Sequence, residues 1–152
     1  MNANPPPAPA VRIVVGYDGS PPSDRALDGA VRLLEGRTGD ITAVYVAHMS
    51  STAMLSADAI VEIEDDFDQV EKELRTSVGD RLRGHVDDWH FQRRQGQIAH
   101  ELITVAGEIQ ARHPDDTVVI VVGSSSSAVH RMVGSVPVNL ARHSSVPLVI
   151  VP

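Results

Sequence analysis

Two hydrophobic periods take turns along this chain. Short β-branched runs predict strands, stretches with apolar residues at three- and four-residue steps predict helices, and the two alternate from end to end. Val11–Gly16 is a β-branched run closed by Tyr17-Asp18-Gly19-Ser20-Pro21-Pro22, turn chemistry that ends a strand and opens a helix. Ser20 or Ser23 can cap the next segment, in which Ala26, Leu27, Ala30, Val31 and Leu34 share one helical face that closes near Gly36–Gly39. Ile41–Ala47 predicts a second strand. After a Ser-rich connection at 50–57, Ile60, Ile63, Phe67, Val70, Leu74, Val78 and Leu82 mark a long amphipathic helix. Asp87–Gly96, where Trp89 and Phe91 alternate with polar neighbours, predicts a third strand near a sheet edge. A helix over Gln97–Arg112, a strand over Thr117–Val122, a helix over Gly134–His143 and an apolar strand over Pro147–Val151 complete the series.

Strands alternating with helices imply parallel pairing with helices on both faces: an α/β fold, three-layer and doubly wound around a five-stranded parallel sheet. Strands one, four and five are apolar enough to be buried on both sides. Strand four, the most hydrophobic, is expected at the centre beside strand one. In such sheets ligands bind at the carboxyl ends of the strands where the winding reverses, which selects the loops after strands one and four.

Composition narrows the classes of function. A chain of 152 residues with 42% apolar content suits one domain over 11–152, preceded by a disordered Pro-rich tail at 1–10 without the basic and apolar regions of a signal peptide. There is no cysteine, which excludes disulfides and thiolate chemistry and suits a cytoplasmic setting. No apolar run is long enough to span a membrane. A formal net charge of −7, no basic patch and five aromatic residues argue against nucleic-acid binding.

The candidate chemistry lies in the loop after strand four. Gly123 and Ser124–Ser127, then Gly134-Ser135 at a helix start, combine small residues, hydroxyls and backbone N–H groups in the manner of an anion site. A flexible polar loop and a plain Ser helix cap remain the alternatives. Asp18 is either an Asx-turn residue or a ligand-facing carboxylate. The acidic cluster Glu62, Glu64, Asp65, Asp66 and Asp68 reads as a solvated helix face. The seven histidines show neither an i, i+4 pair nor an HExxH pattern, so no metal site is expected. No nucleophile elbow, P-loop lysine or dinucleotide fingerprint is present, and no catalytic residue is assigned.

Taken in order, Ile13-Val-Val-Gly-Tyr-Asp-Gly-Ser20, Tyr45-Val46, the Val-Val-Gly-Ser loop, Gly134-Ser135-Val136 and the closing Val146-Pro-Leu-Val-Ile-Val-Pro resemble the universal stress protein family from Val11 to Pro152. The resemblance implies strand order 3-2-1-4-5 in an adenine-nucleotide α-hydrolase-like fold. It implies ATP, with Mg only alongside ATP, held by Gly16, Tyr17 and Asp18 after strand one and by the backbone of Val46. Gly123, Ser124, Ser126, Arg131, Gly134, Ser135 and Val136 would surround the phosphates. It further implies a homodimer paired through Pro147–Val151.

The family's phosphate loop has a second Gly and nine residues before its G-[ST]. Here that Gly is Ser126, and seven residues separate it from Gly134. Three functions therefore stand open: a regulatory protein that binds ATP or a similar anion, a dimeric interaction module without nucleotide, and a slow ATPase.

Overall fold

A computed structural model describes residues 4–48, 56–124 and 136–152. The chain runs β1 (Val11–Gly16), α1 (Pro21–Leu34), β2 (Gly39–Ala47), α2 (Ala57–Leu82), β3 (Trp89–Gln95), α3 (Ile98–Arg112), β4 (Thr117–Gly123), α4 (Val136–His143) and β5 (Leu148–Val151). The five strands form one sheet in the order β3-β2-β1-β4-β5, and every pairing is parallel. The expected order holds, with one refinement: β1 is the central strand and β4 lies beside it.

Side chains alternate across the sheet and divide the core in two. Ile13, Val15 and Tyr17 of the first strand and its turn join Ile41, Ala43, Phe91 and Val121 beneath α1 and α2. Val14, Val44, Val46, Ile120 and Val122 face Leu102, Val105, Ala106 and Ile109 of α3 and Leu140 of α4. Because the period of a strand is two, one sequence supplies both layers without any residue serving twice.

The helix starts follow local chemistry. The Ser20 side chain accepts from the Ser23 N–H at 3.4 Å and prolines occupy the first turn of α1, where no backbone donor is needed. Ser56 caps α2 in the same way through the Ala59 N–H. At the far end, the Arg12 guanidinium of β1 bridges Asp40 of β2 and Asp116 before β4, and the Ala10 N–H donates to Asp116 at 3.0 Å.

Two expectations need correction. Strand β5 lies at the sheet edge, as the order 3-2-1-4-5 requires, but is not buried on both faces: Ile150 is 46% exposed. The acidic face of α2 is not simply solvated either. Glu64, Asp68 and Glu71 converge on Arg93 of β3 at 3.5, 2.6 and 3.5 Å and tie the helix to that sheet edge. None of the described helices is long and apolar enough to cross a membrane.

Candidate functional site

A cleft of about 570 Å³ opens at the carboxyl ends of β1, β2 and β4, on the face covered by α3 and α4. That volume lies within the range of small-molecule sites. Its inner walls are apolar: Val44 and Val46 from β2, Val122 from β4, and Leu102 from α3. Ile98, Val136 and Ile150 extend the apolar surface outward, while Asp18, Ser20 and Ser23 supply the polar groups.

The turn after β1 is built by short hydrogen bonds. The Ser20 N–H donates to Asp18 Oδ1 at 2.9 Å, which is an Asx turn, and the Asp18 N–H donates to Ser23 Oγ at 3.4 Å. Gly19 carries φ +79 between them, a conformation in which a side chain would be strained. Burial opposes the charge on Asp18, but hydrogen bonds from Ser20 and Ser23 outweigh it and hold the carboxyl below its ordinary pKa. An ionised acceptor thus stands at the mouth of an apolar cleft, suited to hydroxyl donors such as those of a sugar.

The candidates named from sequence do not all face the cleft in the expected way. Gly16 and Asp18 line it, as do Val46, Gly123, Ser124 and Val136. Tyr17 contributes its position in the turn, yet its ring is 2% exposed on the opposite face, where its hydroxyl bonds Asp24 and Ser77 at 2.9 Å each. The reason is strand alternation, since Tyr17 continues the side of Ile13 and Val15. The Ser124 N–H is already committed to the Val151 carbonyl at 2.8 Å, and the Ser124 carbonyl accepts from Arg25 at 3.3 Å. Ser126, Arg131, Gly134 and Ser135 lie outside the described residues.

Sequence reading placed Ile98 and Leu102 only within the helix over Gln97–Arg112 and left them out of the site. Both line the cleft, and their four-residue spacing places them on one side of α3. A neighbouring cavity of about 650 Å³ shares Ile98 and Val136 with the cleft and is lined further by His48, His100 and His143.

A model of the universal stress protein family matches residues 11–152. A comparison with curated protein sequences finds no match. Among solved structures, the chain is similar to a universal stress protein in complex with cAMP, at 25% identity and a TM-score of 0.67, covering 93% of this chain and 96% of that one. It is also similar to universal stress protein UspA from Lactobacillus plantarum, at 18% identity and a TM-score of 0.72 over 96% and 100% of the two chains. A universal stress family protein from Arabidopsis thaliana with AMP bound aligns at 13% identity and a TM-score of 0.60, over 93% and 90%.

Proposed function

The chain belongs to the universal stress protein family, and from that premise we propose that it is a regulatory protein that binds an adenine nucleotide, or a similar anionic ligand, in the cleft beside Asp18. The observation that carries this reading is the pairing of an apolar interior with one hydrogen-bonded carboxylate at the rim. A purine ring fits between Val44, Val46, Leu102 and Val122, and the Val46 backbone meets its edge. Asp18 accepts from a ribose hydroxyl, with Gly16 and Tyr17 shaping the turn around it. Gly123, Ser124 and Val136 border the phosphate end, where Ser126, Arg131, Gly134 and Ser135 complete the proposed site. Similar structures with cAMP and AMP support the ligand class. ATP is the triphosphate form of this proposal and brings Mg with it.

A second reading, a dimeric interaction module, draws on β5. It pairs only with β4 among the described strands, and Ile150 on it is 46% exposed while also lining the cleft. An open strand edge invites pairing with a second copy. Under this proposal a homodimer forms through β5, and a ligand against Ile150 biases the association.

Calorimetric titration with ATP, ADP, AMP and cAMP tests the proposal. Saturable heat is expected for at least one of them, with Asp18→Ala weakening binding by about tenfold or more, the usual loss for a hydrogen bond to a charged group. Absence of heat and of any thermal shift at millimolar nucleotide removes the adenine-nucleotide reading and favours the interaction module.

A further inference from the structure

At the opposite end of the sheet from the cleft, we infer that Asp40, Asp88 and His90 form a binding site for a divalent transition-metal ion, with Zn²⁺ the best chemical match. Each residue offers one ligand atom, and these atoms all lie within 4.8 Å of one another. Backbone register brings the start of β3 alongside β2 here. Thr42 of β2 pairs with His90 of β3, and the Ile41 N–H donates to the Asp88 carbonyl at 3.3 Å. Asp40 and Thr42 are two apart on β2 and His90 lies opposite Thr42 on β3, so these three share one face of the sheet, while Asp88 stands in the segment just before β3.

Three further observations point to a cation. His90 Nε2 stands 3.5 Å from Asp88 Oδ1, too long for a good hydrogen bond. Two ligands each about 2.1 Å from a tetrahedral Zn²⁺ stand about 3.4 Å apart, which matches that gap. One guanidinium, that of Arg12, faces two carboxylates, Asp40 and Asp116, so this end of the sheet is net negative. Thr42, 2% exposed, pairs with His90 across β2 and β3 and offers a hydroxyl beside the cluster for a metal-bound water.

The donor set selects the metal. Two carboxylates and an imidazole suit Zn²⁺ and its neighbours, whereas Mg²⁺ and Ca²⁺ favour all-oxygen shells. Asp40 is 4% exposed and anchors the site from within, while the exposed Asp88 and His90 leave it open for an ion to enter. Three protein ligands leave a fourth position for water.

The full-length protein, stripped with chelator and dialysed, is titrated with Zn²⁺ by calorimetry and with Co²⁺ by visible absorption. One equivalent of Zn²⁺ is expected to bind at micromolar concentration and raise the Tm, and Co²⁺ to give the intense bands of a four-coordinate site. His90→Ala and Asp88→Asn, both at exposed positions, each weaken binding by about tenfold or more and remove the Tm rise. His100→Ala, on α3, changes neither. Asp40 is left intact because its loss strands Arg12. The site is refuted by an absence of saturable Zn²⁺ binding, or by an affinity that both variants leave unchanged, which would make Asp88 and His90 a plain surface pair.

Discussion

Gly123 lies directly against Pro22: a β-carbon at position 123 would overlap the Pro22 carbonyl group and come within 2.9 Å of its Cα. The end of β4 and the start of α1 are thus in backbone contact at the edge of the cleft. The glycine serves this close approach first, and its place at the rim of the cleft follows from it.

Gly123→Ala should therefore act on both stability and binding. Overpacking of this kind costs about 1–3 kcal/mol, because backbone atoms cannot rotate away as a side-chain end can. Urea denaturation should show that loss. Nucleotide affinity should fall as well, since the displaced segment carries Ser20 and Ser23. A variant with unchanged urea midpoint would mean that α1 does not hold its position against β4.

Tyr17→Phe separates the two faces of the sheet. Its hydroxyl joins Asp24 and Ser77 on the side of α1 and α2, away from the cleft. Removing it should cost about 1 kcal/mol, the net worth of such hydrogen bonding, while Asp24 keeps its ion pair with Arg81 at 3.0 Å. Ligand affinity should be unchanged in calorimetry. A large loss of affinity with no loss of stability would place the hydroxyl on the ligand instead.

Much of this was legible in the sequence, and the exceptions have physical reasons. Strand and helix periods gave the layers, and the winding rule gave the cleft at Asp18 and Gly123. The orientation of Tyr17 was within reach as well, since counting by twos from Ile13 puts it with Val15 and not with Gly16. The Gly123–Pro22 contact was hidden because it joins two segments about a hundred residues apart through backbone atoms alone. The proposed Asp40, Asp88 and His90 cluster was out of reach for a related reason: histidine spacing within one helix does not show groups that meet between β2 and the start of β3. Arg93 escaped notice because nothing in the acidic run of α2 says which basic residue on β3 will lie beneath it.

Acid should weaken the fold through Asp116. Hydrogen bonds from Arg12 at 2.7 Å and from the Ala10 N–H at 3.0 Å hold its carboxyl below the usual pKa. A carboxylate depressed in the folded state stabilises it fully above the unfolded pKa, about 3.9, and that contribution is lost as pH falls through the lower folded value. Urea midpoints measured from neutral pH downward should hold steady through this group's range until about pH 4 and then decline. Asp116→Asn should begin less stable at neutral pH and show a shallower decline. Parallel curves for the two proteins would contradict the assignment.

The central claim, an adenine nucleotide in the cleft at the carboxyl ends of the strands, is tested most directly by amide NMR during titration with AMP. The account predicts saturable shifts concentrated at Gly16–Asp18, Val44–Val46, Ile98–Leu102 and Gly123–Ser124, with the amino-end residues Asp40, Asp88 and His90 unmoved. Shifts confined to the amino end, or none at millimolar AMP and none with ATP or cAMP, would contradict it.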